Sequence, residues 1–137
     1  MKKTGCSLLT AFLFFIITDS YVIAQEAGQG GKIKSIVVYI EKHDALVTRK
    51  YKDLEQNFDP QGNLLEEITY KQGKISNHIK YYYDRENNKI KEEKYSPTGH
   101  LTESSEYKYE NGLRIEKIVY DSDRKVRSRK IYQYTSF

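Results

Sequence analysis

The chain has 137 residues, enough for one domain at most. Hydrophobic residues make up 38% of it and tryptophan is absent, so a thick two-layer core would be hard to fill. The net charge of +4 comes from Lys and Glu residues that are interspersed along the chain, which is typical of a solvated surface.

Residues 1–24 have the features of a secretory signal peptide. Lys2 and Lys3 precede the apolar run LLTAFLFFII, which is too short to span a bilayer, and VIA before Gln25 suits a cleavage site. Cleavage would remove Cys6, the single cysteine, and leave no membrane span. The sequence therefore predicts an exported protein, periplasmic, on the outer surface or extracellular, for which a nucleic-acid partner is improbable.

Two strands are predicted next. Residues 25–31, QEAGQGG, form a flexible lead-in to a domain over residues 32–137. The segment KIKSIVVYI, residues 32–40, is apolar at both alternating positions, which indicates a central or doubly covered strand. A further strand is predicted around Leu46–Tyr51.

From Phe58 onward, aromatic residues recur every 11 to 14 positions. They are Phe58, Tyr70, Tyr83, Tyr95, Tyr109, Tyr120 and Tyr134. After each of the first six comes a polar cluster and then an aliphatic residue. The clusters DPQG and SPTG suit type I turns with glycine at the exit, and QG and NG suit two-residue hairpins. One repeating unit is thus aromatic, turn, aliphatic, strand.

Residues of equal parity should share a sheet face, which groups Leu64 with Ile68 and Tyr70, and Ile75 with Ile79. The pattern predicts apolar side chains inside and polar ones outside. Ile90 and Tyr95 differ in parity, so their strand needs a bulge or serves both faces. We predict an all-β fold: an antiparallel meander of hairpin repeats, about seven or eight strands, in an open twisted or partly closed sheet.

A longer period lies over the hairpins, because DPQGNLLEEITY aligns with SPTGHLTESSEY 37 residues later. The segments FDPQGNL, YDRENNKI and YDSDRKV resemble YD repeats, the hairpin units of RHS-type proteins and their MORN-like relatives. The resemblance covers residues 51–134. It implies a hairpin-repeat sheet in a secreted or surface setting, and it implies no activity, because the family's repeat residues are structural.

The sequence offers little chemistry. His43, His78 and His100 lie far apart and have no metal spacing. The carboxylate pairs Glu66–Glu67 and Glu92–Glu93 lie on strands, so the members of each pair should point to opposite faces. The turns DRENN and DSDRK lack the acidic content of a calcium loop. We predict no enzyme activity, no cofactor and no metal.

The best candidate surface is a tyrosine face, predicted to hold Tyr81, Tyr83, Tyr107 and Tyr109. The alternative is that these rings form the core. The leading hypothesis is a non-catalytic module that binds an envelope or surface protein, and the second is a glycan-binding module that uses exposed tyrosines. Three or more exposed, coplanar rings would favour glycans, whereas buried rings beside a long uncovered edge strand would favour a protein partner.

Overall fold

A computed structural model describes residues 33–137, and they form one antiparallel sheet of eight strands in the order β1 to β8. The predicted signal peptide and lead-in lie outside the described residues. The strands are β1 (Ser35–Asp44), β2 (Val47–Phe58), β3 (Leu64–Lys71), β4 (Lys74–Tyr83), β5 (Lys89–Tyr95), β6 (Leu101–Glu110), β7 (Leu113–Asp121) and β8 (Val126–Ile131). The predicted all-β, open antiparallel meander is confirmed. Residues 33–137 contain no helix that is long and apolar enough to cross a bilayer.

Four hairpins share one five-residue turn. The first residue of each turn accepts a hydrogen bond from the backbone N–H of the fourth, and its own N–H donates to the carbonyl of the fifth. In three of the turns this first residue is Asp59, Asp84 or Asp121, whose side chain also accepts two backbone N–H groups. Ser96 begins the fourth turn and accepts one such bond through its hydroxyl. The aspartate of the Tyr-Asp dipeptide is therefore a turn cap.

The fourth position of these turns has a positive φ, as a type I turn followed by a left-handed residue requires. Glycine supplies it at Gly62 and Gly99, while Asn87 and Arg124 adopt it at φ 63° and 61°. The two-residue turns predicted at Gln72–Gly73 and Asn111–Gly112 also have positive φ at both positions.

Every neighbouring strand pair contains one register shift. Between β4 and β5, Tyr82 lies opposite Lys91 and Tyr83 lies opposite Lys89, so Ile90 is the extra residue. This is the bulge that the parity of Ile90 and Tyr95 predicted. In each pair the extra residue lies on the later strand, close to its start in every pair except β1–β2, where Asp53 lies in the middle of β2. Each bulge increases the local twist of the sheet.

Two of the predicted same-face groups are wrong, because bulges interrupt the alternation of side chains. Leu64 lies opposite Phe58, whereas Glu66 lies opposite Asn57, so Leu64 is on the other face from Glu66 and Ile68. Ile75 is separated from Ile79 in the same way. The parity rule fails there because one extra residue reverses the alternation.

The sheet is a single layer with two half-exposed faces, which corrects the predicted apolar-in, polar-out pattern. We call the face that holds Tyr81, Tyr107 and Lys117 the front face, and the face that holds Tyr82 and Ile118 the back face. Among residues 33–137, Tyr107 and Ile118 are the buried hydrophobic residues, and they lie on opposite faces. Each strand contacts only its sequence neighbours, so no other strand of residues 33–137 covers either face.

The predicted position of the first strand in the sheet is also wrong. β1 lies at the edge of the sheet rather than in its centre, because a meander leaves its first strand with one neighbour. Most of its residues are exposed, among them Val37, Tyr39 and Ile40 at 43%, 51% and 40%. The strand predicted around Leu46–Tyr51 is confirmed as the first half of β2, with Leu46 in the turn before it.

Candidate functional site

The four tyrosines of the predicted face lie together on the front face, on strands β4 and β6. On β4, Tyr81 lies opposite Glu92 and Tyr83 lies opposite Lys89. On β6, two strands away, Tyr107 and Tyr109 are two residues apart and therefore share this face. Tyr107 is only 7% exposed, and the other three are partly buried. The structure therefore brings the predicted residues together, but not as an open aromatic surface.

Cations fill the space between these rings. The Lys89 ammonium lies 5.0 Å from the Tyr81 ring centre and 5.2 Å from that of Tyr107. The Arg114 guanidinium lies 4.6 Å from the Tyr107 ring centre and 5.6 Å from that of Tyr109. We call these five residues the tyrosine–cation row. Such contacts stabilise a half-exposed face, because each cation covers an aromatic ring while remaining near water.

Glu92 is the acidic member of this neighbourhood. It accepts hydrogen bonds from the Lys89 ammonium and the Tyr107 hydroxyl, each at 3.0 Å. Burial opposes its ionisation, but the hydrogen bond and charge of Lys89 outweigh that effect and lower the pKa of Glu92. Burial first, and the nearby carboxylates second, raise the pKa of Tyr81 and of Tyr107. Both phenols therefore stay protonated, which removes them as general bases at neutral pH.

Three front-face tyrosine hydroxyls make the same contact in successive hairpins. Tyr83, Tyr109 and Tyr134 donate to the backbone carbonyls of Leu64, Lys89 and Arg114, at 3.0, 3.0 and 2.7 Å. The acceptors are 25 residues apart, which is the length of two strands with their turns. The 37-residue sequence period spans three strands, so its two copies run in opposite directions through the sheet.

The back face contains the tightest polar cluster. Glu93 accepts hydrogen bonds from the Tyr82 and Tyr95 hydroxyls at 2.7 and 2.6 Å, and it pairs with the Lys91 ammonium at 2.6 Å. Desolvation acts against ionisation, but these three donors together lower the pKa of Glu93 to about 2. The cluster links strands β4 and β5.

The adjacent carboxylates do point to opposite faces, as predicted. Glu66 lies opposite Lys80, and Glu67 lies opposite Ile79. His78 is half-buried rather than solvated, because its Nε2 lies 2.8 Å from Glu66 Oε1 and its ring packs against Tyr95. Sequence reasoning missed this contact, since it depends on the register of β3 with β4.

The first carboxylate of each of the turns DRENN and DSDRK accepts hydrogen bonds from the backbone of its own turn. Asp84 accepts from its own turn, and the Asn88 side chain and backbone donors hold its pKa below the ordinary value against partial desolvation. A shallow groove of about 300 Å³ lies between this turn and the one at residues 59–63. Within residues 33–137, no group of three or more His, Cys, Asp or Glu side chains is placed to hold a metal.

The longest unpaired feature is the outer edge of β1. Its inner edge pairs with β2 over ten residues, and no strand of the described chain pairs with its outer edge. The segment SIVVYI, residues 35–40, contains no charged side chain and is rich in β-branched residues. An exposed strand of this kind can accept another strand.

Over residues 33–137 the chain is therefore a single-layer, open β-meander whose first strand has an unpaired edge that is uncharged at residues 35–40. A scan against protein-family models finds no match, and a search of curated proteins finds none either. Among solved structures, the chain shows a likeness to the crystal structure of TarM, at 13% sequence identity and a TM-score of 0.32. The match covers 78% of this chain and 22% of that one. Membership of the YD-repeat family stays a prediction.

Proposed function

We propose that this chain is an exported, envelope-associated and non-catalytic repeat module, and that it binds a protein partner by accepting a strand of that partner at β1. In this mode of binding, backbone hydrogen bonds give affinity and the alternating side chains of the added strand give specificity. The observation that carries the proposal is the outer edge of β1, which no strand of the described chain pairs and which is uncharged over its first six residues.

The opposite edge of the sheet supports the proposal by contrast. β8 has six residues, and its sequence VRSRKI contains three basic side chains. Short, charged edge strands are the usual protection against unwanted pairing. β1 is longer, with ten residues, and lacks charge over its first six. The chain thus protects one edge and leaves the other open.

The polar clusters favour a structural role over a catalytic one. Glu66, Glu92 and Glu93 are each engaged by two or more donors, and His78 is paired with Glu66. A general base needs a free lone pair directed at a substrate. In the described chain these carboxylates instead join neighbouring strands.

Glycan binding through exposed tyrosines is the second candidate. Its support is the placement of Tyr81, Tyr83, Tyr107 and Tyr109 on one face. Cations cover the Tyr81, Tyr107 and Tyr109 rings, however, and Tyr107 is buried, so stacking on sugars would require the cations to move away. The exposed edge strand needs no such rearrangement, and for that reason we place the protein partner first.

The test blocks the outer edge without disturbing the inner one. The bond from Phe58 N–H to the Lys34 carbonyl sets the alternation along β1, so the N–H and carbonyl of Val37 point away from β2. Val37→Pro removes an outward donor, and proline is tolerated at such edge positions. Val37→Thr is the matched control, because it keeps the N–H and the β-branched shape.

The experiment uses full-length chain with a C-terminal tag, expressed in its native cell, crosslinked and captured. A stoichiometric protein that is retained by the wild type and by Val37→Thr, but lost from a folded Val37→Pro variant, is the expected result. Protection of the Val37 amide from hydrogen exchange in the isolated complex would add direct support. Equal capture by all three chains would overturn the proposal, as would capture of polysaccharide alone that free sugar releases.

A further inference from the structure

Basic side chains are concentrated at the C-terminal end of the sheet. Between Leu113 and Phe137 there are seven basic and three acidic residues, whereas residues 33–112 contain 13 basic and 14 acidic ones. The excess charge of the described chain therefore lies on β7, β8 and the turn between them. Charge asymmetry of this kind indicates an anionic partner.

Some of these cations are neutralised on the back face or at the edge. Arg129 pairs with Glu116 at 3.0 Å, and Arg127 pairs with Glu103 at 3.3 Å. Five others form no ion pair with a carboxylate of residues 33–137: Arg124 and Lys125 in the turn before β8, and Arg114, Lys117 and Lys130 on the strands or at their ends. We call the last three the basic patch. They share the front face, because Lys117 lies opposite both Tyr107 and Lys130 and the Arg114 guanidinium covers the Tyr107 ring.

Two of these charges oppose one another directly. Lys117 and Lys130 occupy facing positions on β7 and β8. Residues in this arrangement have Cβ atoms about 5 Å apart, and like charges there destabilise a sheet. The nearest acidic group, Glu92, is already occupied by Lys89 and the Tyr107 hydroxyl. Lys117 shares the charge of Glu92 with Lys89, and no ion pair of residues 33–137 includes Lys130, so an anion bound between the two strands would add the counter-charge that the pair needs.

Arg114 has donors to spare beside this pair. Its Nε and Nη2 both donate to the Tyr109 hydroxyl, at 3.3 and 3.1 Å, and this contact fixes the guanidinium plane against the Tyr107 ring. Tyr132 is a further hydrogen-bond partner of Arg114, but a guanidinium has five N–H donors, so others remain for a ligand. A planar guanidinium held in position suits a carboxylate, which can accept two parallel hydrogen bonds.

We propose that the basic patch binds the carboxylate groups of an acidic polysaccharide. Lys117 and Lys130 lie on neighbouring strands, and such strands are about 4.8 Å apart, a spacing comparable with that of successive pyranose units. Nucleic-acid binding is less well supported, because single strands are held by stacking of bases on open aromatic rings. Here Arg114, Lys117 and Lys89 all lie over Tyr107. This site is separate from the β1 edge, so either proposal can fail without the other.

The test measures binding of polygalacturonate to the full chain, with neutral dextran and single-stranded DNA as comparison polymers. The double variant Lys117→Gln/Lys130→Gln removes the facing pair and leaves Arg114 and its tyrosine contacts in place. Lys71→Gln/Lys74→Gln is the matched control, since it also removes two directly opposed lysines, in this case beside the turn at Gln72–Gly73. Thermal unfolding of each variant verifies that the sheet is intact.

We expect polygalacturonate to bind and dextran not to bind. The Lys117/Lys130 variant should weaken binding by about ten-fold at low salt, because two charge contacts are lost, while the Lys71/Lys74 variant should change it less than about two-fold. An equal loss in both variants would overturn the proposal in favour of general charge attraction. Absence of polygalacturonate binding would overturn it as well, and so would DNA binding of equal strength with the same dependence on Lys117 and Lys130.

Discussion

Arg124 occupies a backbone conformation that other hairpins of this chain assign to glycine or asparagine. Its φ is 61°, at the position where Gly62 and Gly99 stand in two equivalent turns. A left-handed conformation costs a residue with a Cβ about 1–2 kcal/mol. Glycine avoids that cost but loses about 0.5–1 kcal/mol through its greater freedom in the unfolded chain.

We therefore expect Arg124→Gly to raise the free energy of unfolding by about 0.5–1 kcal/mol, measured by urea denaturation. Arg124→Ala is the control, because it removes the same charge and keeps the Cβ. If alanine stabilised the chain as much as glycine does, the gain would come from the lost charge and the backbone argument would be wrong.

Glu93 gives the stability of the sheet a dependence on pH. Its folded-state pKa is about 2, below the ordinary value of 4.5. A carboxylate with a lowered folded pKa contributes stability that is complete above its unfolded pKa and is lost as the pH falls toward the folded one. The contribution of Glu93 should therefore disappear between about pH 4.5 and pH 2.

The expected result is that Glu93→Gln is less stable than the wild type at pH 7, and that the difference narrows by pH 2.5. Urea unfolding at several pH values would measure it. Glu110→Gln, at an exposed position of β6, provides a control that should leave the pH dependence unchanged. A constant difference between Glu93→Gln and the wild type across this range would contradict the assignment.

At the scale of strands, the front-face tyrosines connect one hairpin to the next. The Tyr109 hydroxyl donates to the Lys89 carbonyl on β5 and accepts from Arg114 on β7, so one atom joins three strands. Tyr109→Phe removes that atom and preserves the ring. Because the Lys89 carbonyl and the guanidinium each lose a partner, we expect a loss of about 1–2 kcal/mol in the free energy of unfolding.

Tyr39→Phe is the matched control for this change. Tyr39 lies on the edge strand and is about half exposed, and it forms a cation–π contact with Lys50 that the ring alone supports. Removal of its hydroxyl should cost little. Equal losses in the two variants would indicate that the three-strand connection through Tyr109 contributes nothing specific.

The strands and their turns could be predicted from sequence because their signals are local. Asn111–Gly112 and Gln72–Gly73 have the positive φ that such dipeptides favour, and the Pro-Gln-Gly and Pro-Thr-Gly segments form the turns expected of them. The faces could not be predicted fully. A bulge after each turn moved Leu64 and Ile75 to the opposite face, and only the parity of Ile90 and Tyr95 gave a sign of it.

At the scale of the whole sheet, the composition of a strand did not reveal whether the strand lies at the centre or at the edge. Residues 32–40 have the apolar pattern of a covered strand, yet β1 lies at the edge because the meander follows chain order. The candidate site could likewise be predicted only in part. The four tyrosines do share a face, as period-two alternation within β4 and β6 indicated, but their burial under cations from β5 and β7 depends on long-range pairing.

A single layer in which each strand contacts only its neighbours should behave as a nearly one-dimensional array. In such arrays stability is a sum of local and nearest-neighbour contributions, and opening can begin at either end. Four of the five buried residues, Tyr107, Ile118, Ser104 and Ser105, lie on β6 and β7, and the fifth, Gln56, lies on β2, while β1 and β8 are mostly exposed. Protection of backbone amides should therefore be greatest in β6 and β7 and decrease toward both edges.

Native-state hydrogen exchange tests this gradient residue by residue. The decrease should be steeper toward β8, because β8 is the direct neighbour of β7, whereas four strands lie between β1 and β6. Strong protection of β1 in the isolated monomer would contradict both the gradient and the unpaired edge on which the proposed partner binding rests. If protection of β1 rises with protein concentration, the strand is pairing with a second copy, and Val37→Pro should abolish that increase and leave β6 and β7 unchanged.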